Sequence, residues 1–531
     1  MSEASRDGRQ LTRSAGIVGL FTLFSRILGL VRDGVVAAAY PKRATDPFYV
    51  AFTIPNVFRQ LLAEGSLTVA FVPVFTELRQ RAGDDAAKAL YAKTMGAALL
   101  VLLLVTAAGV GLAPQVVRLF AYGLVDDADK LGLAILLTRV MFPFLITVGV
   151  TALAMGVLNT YRHFAAPALA PVLLNACIIS VVLTTSRAMP HLGLPPIAAL
   201  GFGVLLGGVA QVLLQAGPLR SRGLLLRPRL DLGDPGVRRI GRLMLPSILG
   251  LAIYQVNVIL ARQFASFLEE GSISYIYYAQ RLIEFPMGIF AVAVATVSLP
   301  SYAAQVTAGN LDELRRTYGY SLRVVAFVLL PATAGLIALG LPLCSVLFQR
   351  GAYTHAMAQE TARTLLGFAC GLWAAGGVRQ TVPVFYALQD TRTPVKVGAL
   401  ALLAYIGSAL LLRHRLQALG LALAVAISST VNLLLLLVLL RVRLGPLGLR
   451  SVALTLARSS LAAVGAGFCA HLVTRFGDWP QGGRAPLNYA VLLGAVVAGM
   501  VSYALLAALL RAPELHELAR AFARRRRPGP R

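Results

Sequence analysis

The chain alternates between long apolar runs and short segments rich in charge, glycine or proline. Several apolar runs reach about 20 residues, the length of helix that crosses a hydrocarbon layer about 30 Å thick. Residues 98–112 and 433–440 are apolar on nearly every face, whereas the strands of a membrane barrel alternate in polarity. The pattern therefore predicts an all-α polytopic membrane protein.

The breaks between apolar windows predict about fourteen transmembrane helices. They lie near residues 14–40, 47–77, 88–114, 130–159, 165–186, 194–216, 238–266, 273–304, 312–341, 357–388, 393–412, 418–440, 450–473 and 487–511. Loops after even-numbered helices are richer in lysine and arginine than loops after odd-numbered ones, and the tail carries four consecutive arginines at 524–527. This asymmetry predicts that both termini are cytoplasmic.

A weak internal repeat relates two parts of the chain. Pro73 recurs as Pro300 and Pro167 recurs as Pro394, with the same number of residues between the members of each pair. Two short Leu/Gly segments recur in the same order along the chain. The repeat predicts two lobes of six helices, related by a pseudo-two-fold axis along the membrane normal because six is even. Such repeats are typical of transporters.

The predicted domains follow from this repeat. They are an N-terminal six-helix lobe at 1–225, a C-terminal six-helix lobe at 226–445, and an extra helix pair with a basic cytoplasmic tail at 446–531.

The amino-acid composition argues against several classes of function. Hydrophobic residues make up 57% of the chain and charged residues 14%, against about 25% charged in soluble domains. The net charge of +26 lies mainly at helix ends and tails, which favours contact with anionic lipid over nucleic acid. The cysteines and histidines show no metal-ligand spacing, and no catalytic constellation is present. We expect neither an enzyme nor a metal or cofactor site.

Charged residues inside the predicted helices are candidates for function, because each costs at least about 2.5–3.5 kcal/mol at the bilayer centre. The candidates are Arg26, Arg32 and Asp33 in helix 1, Arg59 and Glu64 in helix 2 after Pro55, and Arg281 and Glu284 in helix 8 before Pro286. Arginine suits a diphosphate, since its planar fork bonds phosphate oxygens in pairs. Four arginines facing three acids favour an anionic cargo.

A purely structural role is the alternative for these charges. Arg32 and Arg59 would then reach the headgroups, while Arg26 and Arg281 would pair with Asp33 and Glu284. On an ideal helix Arg26 and Asp33 share a face and Arg32 points away from it.

Several sequence stretches resemble the MurJ (MviN) lipid II flippases of the multidrug/oligosaccharidyl-lipid/polysaccharide exporter superfamily. They include FSRILGLVRD at 24–33, DPFYVAF at 46–52 and YYAQRLIEFP at 277–286. The resemblance covers essentially the whole chain. It implies a cavity between two six-helix lobes and a groove for a polyprenyl tail formed by helices 13 and 14.

The resemblance also implies a function. The chain would be an alternating-access flippase that moves lipid II, an undecaprenyl-diphosphate-linked disaccharide peptide, to the outer leaflet of the bacterial inner membrane for cell-wall synthesis. Arg26, Arg32, Arg59 and Arg281 would bind the substrate, and Asp46 would be a further important position. From their charge and position within the helices we expect Asp33, Glu64 and Glu284, together with Asp46, to support or gate the site. Transport would be coupled to the membrane potential or an ion gradient, with membrane lipids and cell-wall synthesis machinery as further partners.

The chain departs from the family pattern at three places. Gln60 replaces a second arginine, Gln280 replaces an acid, and residues 40–45 replace a glycine-rich turn. None of these changes removes one of the four candidate arginines.

Three other functions stay open at this point. An exporter of another polyprenyl-diphosphate-linked saccharide would use the same arginines, whereas an exporter of cationic drugs would favour acids. A non-transporting membrane scaffold would depend on its basic tail and not on Arg59 or Arg281.

Overall fold

The computed structural model describes residues 3–515 and 517, with the side chains of 3–15, 17, 64, 249, 253 and 254 left outside the description. The predicted roles of Glu64 and of the basic tail at 524–527 therefore fall outside the described residues. Every regular element in the described part of the chain is a helix. The prediction of an all-α protein is confirmed.

The α-helices are α1 (Glu3–Ala39), α2 (Lys42–Phe58), α3 (Thr68–Gly111), α4 (Ala113–Phe120), α5 (Ala128–Met141), α6 (Phe144–Thr160), α7 (Ala165–Thr185), α8 (Ala198–Arg220), α9 (Pro235–Ser266), α10 (Ser272–Pro286), α11 (Val292–Thr307), α12 (Leu311–Ala338), α13 (Gly340–Phe348), α14 (His355–Cys370), α15 (Leu372–Ala387), α16 (Arg392–Leu444), α17 (Leu449–Thr474) and α18 (Pro486–Leu509). Two π-helices, Arg59–Leu67 and Met287–Ala291, follow α2 and α10. Short 3₁₀ helices lie at Tyr122–Leu124, Met189–Leu192 and Trp479–Arg484.

Ten helical segments among the described residues are long and apolar enough to cross a membrane. One of them, Lys42–Gly111, contains Gly83 with a φ of +84°, and another, Arg392–Leu444, contains Gln417 with a φ of +50°. Both residues leave the helical conformation where the sequence predicted a break between two helices. The total of about fourteen membrane helices stays a prediction.

Several helices begin at side chains that cap their first turn. The Asp234 carboxylate accepts hydrogen bonds from the backbone N–H groups of Gly236 and Val237 at the start of α9. Pro235 follows at the first helical position, where the missing N–H costs nothing. These local signals determine where α9 begins.

The chain divides into two compact units, Met1–Ile273 and Ser274–Arg531. In this division α9 belongs to the first unit, whereas the repeat counted it with the second six helices. The repeat-based ranges 1–225, 226–445 and 446–531 stay predictions.

The core of the first unit is built on aromatic side chains of α3. Phe71 and Phe75 are completely buried, and they pack with Tyr91, Leu153 and Leu158 from α3 and α6. Large apolar side chains of this kind contribute about 1.5–3 kcal/mol each when they are fully buried.

The second unit has one cluster around Tyr318 and Phe385 and another around Phe327 and Tyr503. In the second cluster small alanines of α17 allow α12, α17 and α18 to approach closely, as is typical of membrane helix packing. The two C-terminal helices α17 and α18 are therefore packed onto α12.

Candidate functional site

Arg32 lies on α1 and is almost completely buried. Its Nη2 and Nε atoms donate to Oδ1 of Asp33 at 2.6 and 3.0 Å, and its Nη1 donates to Oδ1 of Asn175 on α7 at 3.1 Å. The guanidinium also lies 5.9 Å from the ring centre of Phe52. A buried cation of this kind needs both an ion pair and hydrogen bonds to offset its desolvation.

The structure gives Asp33 a partner that the helical wheel did not predict. The wheel pointed to Arg26, which is half-buried on the same helix. The long Arg32 side chain nevertheless reaches around the helix to the adjacent carboxylate. Asn175 could be suspected from sequence only as an amide within an apolar run, because such amides commonly bond across membrane helices.

Arg59 is the first residue of a π-helix. Its Nε donates to Oδ1 of Asn56 at 3.0 Å, and Nδ2 of Asn56 donates to the Phe52 carbonyl at 2.7 Å. This chain of bonds orients the half-buried guanidinium. Pro55 lies four residues before Arg59, and its missing N–H and its ring disturb the regular helix. π-Helical segments are rare and are frequent at functional sites.

Asp46 holds a turn that is distant in sequence. Its Oδ2 accepts a hydrogen bond of 2.6 Å from the backbone N–H of Gly271, and the carboxylate is buried. Gly271 has a φ of +102°, a conformation that favours glycine. The carboxylate thus ties the start of α2 to the turn that precedes α10.

An ionic network surrounds the same loops of the first unit. Lys130 lies 2.8 Å from Glu270 and 3.4 Å from Asp127, and Arg43 lies 3.2 Å from Asp129. The Lys130 backbone N–H donates to Asp127 and lowers the pKa of that carboxyl group. These pairs connect the first turn of α5 to the start of α2 through Arg43 and to the turn at 267–271 through Glu270.

Arg281 belongs to the second unit. Its Nη1 lies 3.1 Å from Oε2 of Glu284, and the two side chains are 28% and 64% exposed. The pairing proposed by the structural alternative is therefore present in the structure. Both side chains are exposed enough that the pair can contribute only weakly to stability.

A second π-helix follows Pro286 at the end of α10. The carbonyl of its last residue, Ala291, accepts a hydrogen bond of 2.8 Å from Nε2 of Gln380 on α15. Gln380 is completely buried. Like Asn175, it is a buried amide that bonds to a neighbouring helix, a kind of residue that a search for charges alone does not find.

The predicted site residues are distributed over both units. Arg26, Arg32, Arg59, Asp33 and Asp46 lie in the first unit, and Arg281 and Glu284 lie in the second. In the described part of the chain, no group of three or more histidine, cysteine, aspartate or glutamate residues is placed to hold a metal ion. The functional roles of the seven residues stay predictions.

Two solved structures share the helical architecture of this chain. A multidrug resistance MATE family transporter of the MOP superfamily, in an inward-facing conformation, superposes with a TM-score of 0.67 at 17% identity, covering 80% of this chain and 95% of that one. A lipid II flippase MurJ in an inward closed conformation superposes with a TM-score of 0.76 at 23% identity, covering 93% of this chain and 98% of that one. These likenesses define the fold.

The family follows from sequence. A profile of the lipid II flippase MurJ family matches residues 41–490. The probable lipid II flippase MurJ of Vibrio cholerae is 37% identical over 75% of this chain and 77% of its own length, and the lipid II flippase MurJ of Burkholderia cenocepacia is 37% identical over 73% and 75%. The chain belongs to the lipid II flippase MurJ family. The predicted resemblance is confirmed, and the family is one of membrane transporters and not of enzymes.

Proposed function

We propose that this multi-pass membrane protein is a flippase for lipid II and moves it to the outer leaflet of the inner membrane for cell-wall synthesis. The match to the MurJ family over residues 41–490 carries this proposal. The chemistry of the apolar helices supports it, since Arg32 and Arg59 are held inside the fold by acid and amide partners.

The proposed ligands of the diphosphate are Arg26, Arg32, Arg59 and Arg281. A guanidinium keeps its charge at any physiological pH and can donate two parallel hydrogen bonds to phosphate oxygens. A diphosphate would compete with the carboxylate of Glu284 for Arg281, because that pair is partly exposed. Transport breaks and forms no covalent bond.

The remaining elements of the proposal concern energy, orientation and partners. A bound substrate shifts a conformational equilibrium only by its differential affinity for the two states. Return of the empty carrier therefore needs a second bias, and we assign it to the membrane potential or an ion gradient acting on the net positive charge. Both termini are cytoplasmic in this proposal, and cell-wall synthesis enzymes are the expected partners.

The test is rescue of bacteria depleted of their own lipid II flippase. The native chain and its Arg59→Ala and Arg281→Ala variants are compared at matched expression while lipid II exposed on the outer leaflet is followed. Arg187→Ala is the matched control, because Arg187 is an exposed residue outside the α-helices.

We expect rescue by the native chain and the control but not by the two variants. Rescue by all four would overturn the role of the arginines. Failure of the native chain, despite normal insertion, would overturn lipid II as the cargo.

A further inference from the structure

Helix α9 contacts the π-helix Arg59–Leu67 through a pair of amide side chains. Nε2 of Gln255 donates to Oε1 of Gln60 at 2.9 Å, and Gln255 is only 2% exposed. Gln60 is the residue adjacent to Arg59. A polar bond between two apolar helices is therefore made directly beside a candidate substrate ligand.

A second contact lies one turn away on each helix. A Cβ atom added to Gly65 would lie 2.4 Å from Cδ1 of Leu251 on α9 and 2.5 Å from the carbonyl oxygen of Gln60. Both distances are too short for any real Cβ contact. A larger residue at position 65 would displace the Leu251 side chain and the Gln60 carbonyl, so glycine fits the observed packing of the π-helix against α9.

The spacing of these contacts requires the π-helical form. Leu251 and Gln255 are four residues apart and share one face of α9. Gln60 and Gly65 are five residues apart, which on an α-helix separates their directions by about 140° at 3.6 residues per turn. A turn that closes from residue i to i+5 brings the two positions close to one face. The π-helix presents both positions to α9, and an α-helix would not.

The same segment stabilises its wide turns with its own hydroxyl groups. Oγ of Ser66 donates to the Leu61 carbonyl, and Oγ1 of Thr68 lies 3.3 Å from the Ala63 carbonyl, in each case five residues back. These bonds give the Leu61 and Ala63 carbonyls a side-chain donor within the wide turns.

We propose that α9 holds residues 59–67 in the π-helical form and thereby sets the direction of Arg59. A π-helix turns through a smaller angle per residue than an α-helix, so it rotates the face that carries Arg59 relative to the start of α3. Gln255 and Gly65 are therefore positioning residues for Arg59. The ligand assigned to Arg59, a diphosphate, rests on the proposed function; the positioning itself does not.

Accessibility of position 59 is the direct test. The native cysteines, all free thiols at positions 177, 344, 370 and 469, are replaced by serine, and Arg59→Cys is introduced. The labelling rate with a charged maleimide is measured in membrane vesicles with and without Gln255→Leu. Gln211→Leu is the matched control, because buried Gln211 donates to the Ala170 carbonyl at 2.9 Å, between α8 and α7.

We expect Gln255→Leu to change the labelling rate about fivefold, the factor that corresponds to one net hydrogen bond, and Gln211→Leu to leave it unchanged. An unchanged rate in Gln255→Leu, or an equal change in both variants, would overturn the proposal. If Gln255→Leu does not insert into the membrane, the labelling rates of the Gln60→Leu and Gln60→Arg variants test the proposal instead.

The two Gln60 variants differ in whether they can donate a hydrogen bond to Gln255 on α9. Among the described residues, Oε1 of Gln255 is buried with no hydrogen-bond partner. A guanidinium at position 60 can donate to that oxygen, whereas leucine cannot. Native-like labelling in Gln60→Arg together with altered labelling in Gln60→Leu would support the proposal, and equal labelling in the two would overturn it.

Binding of purified lipid II to the same proteins distinguishes a failure of the proposed function from a failure of the proposed positioning of Arg59. Altered labelling in Gln255→Leu with no lipid II binding by the native protein would contradict the proposed function and leave the positioning intact. Lipid II binding by the native protein with unchanged labelling in Gln255→Leu would contradict the positioning alone.

Discussion

Oδ1 of Asp33 accepts two hydrogen bonds from Arg32, its immediate neighbour in the chain, at 2.6 and 3.0 Å. The side chains are 10% and 1% exposed, so the pair is shielded from water. Asn175 on α7 accepts a third bond from the same guanidinium. The arginine is thus held in one orientation, and its charge is partly neutralised before any ligand binds.

Replacing Asp33 with leucine should destabilise the protein strongly. The substitution removes a charged partner from a buried guanidinium, a change that typically costs about 3–5 kcal/mol. Asp33→Asn should cost less, because its amide oxygen can still accept from Arg32. Thermal unfolding in detergent measures both, with Asp85→Asn as the control, since the Asp85 side chain is fully exposed. Equal midpoints for Asp33→Leu and the control would contradict this account.

Asp46→Ala should loosen the turn at Gly271. The variant loses a charge-assisted hydrogen bond of 2.6 Å inside the fold, a bond of a kind worth about 1.5–3 kcal/mol. Hydrogen exchange at the Gly271 amide should rise clearly in Asp46→Ala and less in Asp46→Asn. Asp129→Ala is the control, because the Asp129 side chain is 88% exposed. Unchanged exchange at Gly271 would show that the carboxylate does not hold the turn.

The segment before α9 should detach when Lys93 is replaced by methionine. Nζ of Lys93 lies 2.8 Å from carboxylate oxygens of both Asp231 and Asp234. Hydrogen exchange over residues 229–236 should increase in Lys93→Met. Lys88→Met is the control, since its ion pair with Asp85 is longer, at 3.6 Å, and more exposed. The same exchange in both variants would contradict the prediction.

The attachment of this segment should also depend on pH. Hydrogen bonding from Lys93 lowers the pKa of the Asp234 carboxyl group. A lowered pKa in the folded state means that the stabilisation is present at neutral pH. It is lost as the pH falls through the folded value, which lies below the usual value of about 3.9. Exchange over 229–236 should therefore rise at acid pH in the native protein and change little in Lys93→Met.

Glu514→Ala should release residues 511–515 from the second unit. Oε1 of Glu514 accepts a bond of 2.6 Å from Oγ1 of Thr455 and lies 3.5 Å from Arg323, and the side chain is 1% exposed. Glu514→Gln keeps an acceptor for Thr455 and should have a smaller effect. Hydrogen exchange over 511–515 is the measurement, and Glu360→Ala, at an exposed ion pair, is the control. Equal protection in Glu514→Ala and the control would contradict this anchoring role.

Much of the fold was predictable from sequence because a membrane helix is recognisable from its own residues. Apolar length is sufficient to predict a crossing, and the breaks at Gly83 and Gln417 fell where the charge pattern placed them. The charged candidates were also visible, since a charge within an apolar run stands out. The family was predicted correctly from short motifs such as the one at 24–33.

The partners of those charges were not predictable in the same way. Asn175 is 143 positions from Arg32, and Gly271 is 225 positions from Asp46. Such pairs depend on which helices pack together, and a periodicity argument contains no information about that. The helical wheel considered only direction, so it also missed that Arg32 is long enough to reach Asp33.

Hydrophobic length and the cost of buried charge act locally, so the amino-acid pattern is enough to specify a bundle of membrane helices with arginines inside them. Tertiary structure alone decided that residues 59–67 form a π-helix beside α9, because the fit of Gln60 and Gly65 against Gln255 and Leu251 exists only when the two helices are packed. A π-helix has poorer intrinsic stability than an α-helix, so its position depends on the neighbour that selects it.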